Sequence, residues 1–175
     1  WYPDETIQHA GIVTGLGGYA GHSHKYKKKG GSGYLFRTST VQDFSGVTGA
    51  CLLVKTAVYD EMHGLDEQFA VAFNDVDFCL RVRDAGYRIA WTPYAELIHY
   101  ESKSRGGDEK DPVKAARFAA EQQRLYTIHG KENILDDPYY NPNLTRDRED
   151  FSESDDLRRL REGRVTVRFR GGTLQ

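Results

Sequence analysis

The sequence has little cysteine and no long hydrophobic run, and each absence excludes a class of protein. Its two cysteines, Cys51 and Cys79, lie far apart and belong to no paired motif, so neither a disulfide framework nor a structural zinc site is indicated. No apolar stretch approaches the roughly 20 residues that cross a bilayer. The opening residues, WYPDETIQHA, lack the basic and apolar regions of a secretory signal. We therefore expect a soluble, cytoplasmic protein with reduced thiols.

The chain also lacks an excess of charge of either sign. Its 24 lysines and arginines nearly balance 26 aspartates and glutamates, which gives a formal net charge of -2. Without a basic field, a nucleic acid is not an expected partner. The 175 residues, 38% of them hydrophobic, suffice for one ordinary domain with a core. Because no initiator methionine precedes a segment that already has a structured pattern, we expect a fragment of a larger protein.

Strand and helix patterns alternate along the chain, which predicts an α/β domain. The expected strands cover residues 7–14, 52–54, 87–91 and 95–102. The expected helices are a short one that ends at Gly64, one over residues 75–85 that ends before Gly86, and one that begins at Asp111 and Pro112 and runs to Gly130.

The glycine-rich and lysine-rich residues 15–36 show no helical period and predict a long, mobile, basic loop. The segment GLGGYA has the spacing of a dinucleotide-binding fingerprint, but no helix pattern follows it to hold a pyrophosphate, so that interpretation is weak. His22 and His24 alternate on this segment and are too few for a tetrahedral metal site. A solvated loop and a flap that binds a diphosphate or an acceptor both stay open.

Asp75 and Asp77 stand at the start of the helix predicted over residues 75–85. Carboxylates there accept free backbone N–H groups and suit the helix dipole, for roughly 0.3 to 1 kcal/mol each. The same position holds an ionised carboxylate on a rigid element, as a general base requires. Residues two apart do not share a helix face, so we expect at most one of them to face a cleft. The capping and the catalytic interpretations both stay open.

His99 ends a predicted strand and precedes Glu101, Ser102 and Arg105. A lone histidine is more often structural than a ligand. However, the carboxyl ends of strands are where ligands bind in α/β sheets. The cluster of imidazole, carboxylate and guanidinium therefore favours a binding site.

Several blocks of the sequence resemble one enzyme family. They are VTGACLLVK (47–55), the block GLDEQFAVAFNDVDFCLRVRDAGYRIAWTPYAELIHYESKSRG (64–106) and DPYYNPNL (137–144), with IQHAG and GGYAGHSHK upstream. Together they look like the carboxyl-terminal half of an inverting family 2 glycosyltransferase with the GT-A fold, of the rhamnosyltransferase and O-antigen biosynthesis type. The resemblance covers residues 1 to about 151.

The resemblance implies roles for particular residues. Thr48, Gly49 and Ala50 match a segment that lines the cleft for donor and acceptor. Asn74 and Asp75 match a Glu-Asp motif whose aspartate deprotonates the acceptor hydroxyl. Asp75 is therefore the candidate catalytic base, although asparagine replaces the usual glutamate before it.

The resemblance also assigns the remaining site residues. Asp77 is expected to support the helix start, His99 to help bind a metal, and Arg105 to bind the phosphates of the donor. The implied cofactor is a divalent cation, Mn or Mg, and the implied partners are a nucleotide-sugar donor and a saccharide or lipid-linked acceptor. Peripheral association with the inner face of the membrane is also implied.

The implied fold is a partial GT-A fold, with a mixed sheet, flanking helices and the amino-terminal nucleotide-binding half missing. Residues 1–151 would form the acceptor-side half of the transferase domain, and residues 152–175 a charged tail or linker. The expected function is inverting sugar transfer in cell-surface polysaccharide synthesis, by the full-length protein rather than by this fragment. The alternative is a noncatalytic module that binds carbohydrate or a protein partner on a degenerate transferase scaffold.

Overall fold

A computed structural model of the chain describes residues 1–100 and 111–155, together with the backbone of residues 167–169 and 172–174. Over these residues helices and strands are mixed, as the sequence predicts. Every named sheet among them has two antiparallel strands. The pairs are β1 (Ile12–Thr14) with β2 (Ala20–His22), β3 (Gln42–Asp43) with β4 (Ala90–Trp91), and β5 (Val167–Phe169) with β6 (Gly172–Leu174). The expected mixed sheet is therefore not formed by the described residues.

The segment that follows β1 is more regular than the predicted mobile loop. A short 3-10 helix, Leu16–Gly18, connects β1 to β2, and a second one covers Tyr34–Phe36. Ser23 and His24 are buried. The loop prediction is wrong for residues 16–24, because a three-residue strand such as Ala-Gly-His is too short to show a period.

The predicted strand at residues 52–54 is also wrong. The chain forms a 3-10 helix over Gly49–Cys51, and the Thr48 hydroxyl caps it by accepting the Ala50 N–H at 3.4 Å. Leu53 is 100% exposed, so the apolar run buries too little surface to hold a strand. The described part of the predicted strand at 95–102 is likewise irregular, and its His99 N–H donates to the Trp1 carbonyl at 2.8 Å.

The predicted helices are confirmed. They are α1 (Thr56–Glu61), α2 (Asn74–Asp84) and α3 (Pro112–His129), which α4 (Lys131–Leu135) follows. The Asp111 carboxylate caps α3 by accepting the Val113 N–H at 2.9 Å. Past the end of α2, Gly86 has a φ of 89°, the left-handed conformation that glycine adopts most easily. No helix in the described residues is both long and apolar enough to cross a bilayer.

Helix α2 contributes to two of the three hydrophobic clusters found among the described residues. The first cluster joins α2 to β1, α3 and α4, and consists of Ile12, Phe69, Phe73, Val76, Leu80, Leu125 and Ile134. On another side of α2, Phe78, Cys79 and Val82 pack with Ile89. The helix is therefore held on more than one side, which fixes the position of its amino terminus.

The carboxyl-terminal segment up to residue 154 stays attached to the body. Phe151 is buried, and the backbone pairs Thr145 N–H with the Ser152 carbonyl at 2.9 Å and Ser154 N–H with the Asn143 carbonyl at 3.0 Å. The division into residues 1–151 and 152–175 stays a prediction.

Candidate functional site

Residues 47–50, called here the Thr48 loop, have a side-chain acceptor for each of their four backbone N–H groups. The pairs are Val47 with Cys79 Sγ at 3.5 Å, Thr48 with His9 Nε2 at 3.3 Å, Gly49 with Asp75 Oδ2 at 2.8 Å, and Ala50 with Thr48 Oγ1 at 3.4 Å. Two of the acceptors belong to α2 and one to the segment before β1. The loop is therefore fixed from two directions.

One face of α2 provides both of its contacts with the Thr48 loop. Asp75 and Cys79 are four residues apart, so they lie one above the other on the helix surface. Burial raises the pKa of the Cys79 thiol to about 11, and the Asp75 charge adds to the rise against the opposing hydrogen bond from Val47. Cys79 is thus a neutral thiol at pH 7 that packs against the loop.

Asp75 is half-buried at the amino terminus of α2, and both of its carboxylate oxygens are oriented by backbone groups. Oδ2 accepts the Gly49 N–H and Oδ1 accepts the Val76 N–H, each at 2.8 Å. Asn74 holds the same turn, because its Oδ1 accepts the Asp75 N–H at 2.7 Å. A carboxylate can accept about four hydrogen bonds, so Asp75 keeps capacity to accept a proton or a further hydrogen bond.

Asp77 lies on a different face of α2 and is 1% exposed. Its Oδ1 is 2.8 Å from His129 Nε2 on α3, and Oδ2 accepts hydrogen bonds from Arg81 Nε at 2.9 Å and Nη2 at 2.7 Å. Arg81 also donates to the carbonyls of Met62 and Gly64. Burial alone would raise the pKa of Asp77, but the hydrogen bonds from His129 and Arg81 outweigh it and lower the pKa. Asp77 therefore connects α2 to α3 and, through Arg81, to the end of α1. Support of the helix start by Asp77 stays a prediction.

A cavity of about 670 Å³ lies beside the Thr48 loop. Its wall includes Thr48, Ala50, His9, Trp91 and His99. The structure thus places three of the predicted site residues, Thr48, Ala50 and His99, around one space. Asp75 is not part of this wall and meets the loop through Gly49. Arg105 lies outside the described residues.

His99 is the predicted metal ligand, and its Nδ1 is buried without a hydrogen-bond partner. Such an orphaned nitrogen suits a ligand to a cation. However, residues 1–100 and 111–155 contain no group of three or more histidine, cysteine, aspartate or glutamate side chains that could hold a metal. The described residues therefore do not complete a cation site.

His22 and His24 make different contacts and form no joint site. The Nδ1 of His22 is 3.0 Å from the Nδ1 of His9. His24 is buried against the Phe151 ring, where its Nε2 accepts the Tyr34 N–H at 2.9 Å. Burial lowers the pKa of His24 to about 4, with help from the charges of nearby Lys27 and Arg37. His24 is thus a neutral structural residue, which corrects the expectation of a solvated histidine on a loop.

Two side chains that hold the Thr48 loop, His9 and Cys79, were not predicted from the sequence. His9 lies 39 residues from Thr48, and Cys79 lies 32 residues from Val47, so no local pattern connects them. For Cys79 the spacing of four from Asp75 was the available signal. Burial lowers the pKa of His9 well below its usual value, and His22 and the amino-terminal ammonium lower it further.

The chain is similar to parts of much longer bacterial proteins. It is 49% identical over 152 residues to the uncharacterized protein y4gI of Sinorhizobium fredii (strain NBRC 101917 / NGR234), an overlap that covers 86% of this chain and 16% of that protein. It is 34% identical over 145 residues to the O-antigen biosynthesis protein RfbC of Myxococcus xanthus, covering 82% of this chain and 11% of RfbC.

A shorter overlap connects the chain to a protein named as a transferase. Over 80 residues, which are 46% of this chain and 24% of the relative, it is 32% identical to the N-acetylglucosaminyl-diphospho-decaprenol L-rhamnosyltransferase of Mycobacterium tuberculosis (strain CDC 1551 / Oshkosh). No family model matches the chain. No solved structure matches it either. Similarity to the two proteins with functional names supports a relationship to the glycosyltransferases.

Proposed function

We propose that this chain is part of a glycosyltransferase that transfers a sugar, with inversion, from a nucleotide-sugar donor to a saccharide or lipid-linked acceptor. The product would be a cell-surface polysaccharide. One observation carries the proposal: the Asp75 carboxylate is bonded to Gly49 of a loop whose neighbouring residues line a cavity of about 670 Å³. The names of the Myxococcus and Mycobacterium relatives, which concern O-antigen and a decaprenol-linked acceptor, support the substrate class.

Inverting transfer is a single displacement that needs one protein carboxylate as a base. In the proposed reaction, Asp75 takes the proton of the acceptor hydroxyl while the hydroxyl oxygen forms a bond to the anomeric carbon. The bond from that carbon to the nucleoside diphosphate breaks, and the leaving group departs with the electron pair. The hydrogen bonds from Gly49 and Val76 hold the carboxylate in one orientation, which lowers the cost of reaching the reactive geometry.

A divalent cation, Mn or Mg, is proposed for the full-length enzyme, where it would offset the charge of the departing diphosphate. His99 is the candidate ligand in this chain, since its buried Nδ1 has no partner. The other ligands would come from outside the described residues. Phosphate binding by Arg105 stays a prediction, because Arg105 lies outside the described residues.

We further propose that the chain is the acceptor-side half of a GT-A transferase domain whose nucleotide-binding half precedes it. The chain spans only 16% of the Sinorhizobium relative and 11% of the Myxococcus relative, so both are long enough to contain a donor half. The isolated chain is expected to be inactive, because the proposed nucleotide-binding half would lie outside it. Cytoplasmic location and peripheral membrane association stay predictions.

The Asp75→Asn variant of the full-length protein tests the assignment of the base. Asparagine keeps an oxygen that can accept the Gly49 N–H but cannot take a proton, so we expect the transfer rate to fall by about 100-fold or more. The measurement is the release of nucleoside diphosphate across a panel of sugar nucleotides with an added acceptor.

Asp111→Asn is the matched control, because Asp111 also caps a helix, α3, but has no contact with the Thr48 loop among its described partners. Asparagine caps a helix as well as aspartate does, so the control should keep both rate and stability. An Asp75→Asn protein that stays folded and transfers sugar at the original rate would contradict the proposal. Carbohydrate binding without turnover in the unmodified protein would instead indicate the noncatalytic binding module.

A further inference from the structure

His9 contacts the Thr48 loop and also lines the cavity. Its ring is part of the cavity wall. Its Nε2 accepts two backbone N–H groups, from Gly11 at 3.2 Å and from Thr48 at 3.3 Å. The first contact fixes the ring to its own segment, and the second connects that segment to the Thr48 loop.

These contacts determine where the proton of His9 lies. A nitrogen that accepts two N–H groups must use its lone pair, so Nε2 carries no hydrogen. The proton of the neutral ring is then on Nδ1, which lies 3.0 Å from His22 Nδ1 with the two rings nearly perpendicular, at 83°. His9 thus donates a hydrogen bond to His22 on β2 and accepts one from the Thr48 N–H. It therefore connects the Thr48 loop to the β1–β2 pair.

We propose that His9 is a positioning residue of the transferase site, which holds the Thr48 backbone from one side while Asp75 holds Gly49 from the other. This inference rests on the proposed function, because it concerns the same site. Asp75 can face a substrate correctly only if the Gly49 N–H that orients it is itself in place. Since Gly49 follows Thr48 directly, loss of the His9 contact displaces a hydrogen-bond donor of the base.

Two substitutions of His9 separate its two hydrogen bonds. In His9→Gln the side-chain oxygen can occupy the position of Nε2 and accept the Thr48 N–H, whereas the donor toward His22 is lost. In His9→Asn the amide can donate toward His22 but is too short to reach Thr48. A residue that only fills space would respond to both changes in the same way.

Hydrogen exchange of the full-length protein, followed by mass spectrometry without substrate, tests the contact itself. A peptide that begins at Ser45 reports the amides of the Thr48 loop. We expect exchange of these amides to become about tenfold faster in His9→Asn, as loss of one hydrogen bond predicts, and to stay near the original rate in His9→Gln. Equal acceleration in both variants, or in neither, overturns the proposal.

Kinetics test whether the contact matters for the reaction. We expect kcat to fall by about tenfold or more in His9→Asn and to be largely retained in His9→Gln. His24→Gln is the control, because His24 also accepts a backbone N–H at Nε2 but bonds to Tyr34 and is not part of the cavity wall. His24→Gln should keep kcat.

If amide exchange of the Thr48 loop becomes faster in His9→Asn but kcat is unchanged, the positioning role is wrong. If the unmodified protein transfers no sugar, the proposed function fails while the exchange result still stands.

Discussion

At the scale of single residues, the two aspartates in the first turn of α2, Asp75 and Asp77, have contrasting surroundings. Asp75 is half-buried and bonded only to backbone groups in its described contacts, whereas Asp77 is buried between an arginine and a histidine. The Asp75 carboxylate can still accept further hydrogen bonds. The charge of Asp77 is balanced inside the protein by its contacts with Arg81 and His129. Under the proposed function, chemistry and stability would thus depend on neighbouring carboxylates on different faces of one helix.

Asp77→Asn is therefore expected to act on stability. It would leave Arg81, whose side chain is 27% exposed, and the buried His129 without their anion. Removal of one partner from a buried ion pair costs about 3 to 5 kcal/mol, and the partial exposure of Arg81 favours the lower value. Urea unfolding measures the change. Asp84→Asn, at the exposed end of the same helix, should change the free energy of unfolding by less than about 1 kcal/mol. Equal costs for the two variants would contradict the assignment.

At the scale of elements, the helices were predictable, whereas of the strands only β1 and β4 lie within segments predicted as strands, 7–14 and 87–91. α2 and α3 carry their own signals, namely Gly86 after one and Asp111 with Pro112 before the other. The strands are two or three residues long and depend on partners distant in sequence, such as β4 on β3. Leu53 illustrates the limit: its neighbourhood is as apolar as a buried strand, but the tertiary structure leaves it exposed.

Two glycines allow conformational strain to be separated from packing. Gly86 has a φ of 89° and no atoms within 4 Å of an added Cβ, so Gly86→Ala should cost only the strain of the left-handed region, about 1 to 2 kcal/mol. At Gly11, with a φ of 100°, an added Cβ would lie 2.5 Å from the buried Phe44 ring. Gly11→Ala should therefore cost clearly more than Gly86→Ala in thermal or urea unfolding. Equal costs would show that the Phe44 ring moves aside freely.

At the scale of the whole molecule, the site depends on segments far apart in the chain. From the sequence we predicted that at most one of Asp75 and Asp77 faces a cleft. In the structure Asp75 contacts the Thr48 loop and Asp77 contacts α3, and neither belongs to the cavity wall. The role of Asp75 as a base stays a prediction. The role of His9 could not be predicted from the sequence, because its contact with Thr48 forms only when the chain folds.

The neutral histidines of the amino-terminal region make the stability of the whole molecule sensitive to acid. The pKa of His24 is lowered to about 4 in the folded protein, against about 6.5 in an unfolded chain. Between these values the unfolded state binds more protons, so stability falls as pH decreases from 7. For His24 the loss is on the order of 2 kcal/mol between pH 7 and pH 5, measurable by urea unfolding.

His24→Gln removes the titration of this ring while it keeps an oxygen for the Tyr34 N–H. Between pH 7 and pH 5 the free energy of unfolding of the variant should therefore fall by about 2 kcal/mol less than that of the unmodified protein. This holds even if the variant is less stable at pH 7. An unchanged loss between pH 7 and pH 5 would show that His24 does not contribute to it.

The hydrogen bonds of the Thr48 loop also determine which ligand groups the loop can recognise. All four backbone N–H groups of residues 47–50 already donate hydrogen bonds to protein side chains. The backbone of this loop can therefore offer a ligand only carbonyl oxygens, which accept hydrogen bonds. Hydroxyl groups can donate to such oxygens, whereas an ionised phosphate cannot. Under the proposed function, the backbone of this loop would bind the hydroxyls of a sugar, and phosphate groups would need donors elsewhere.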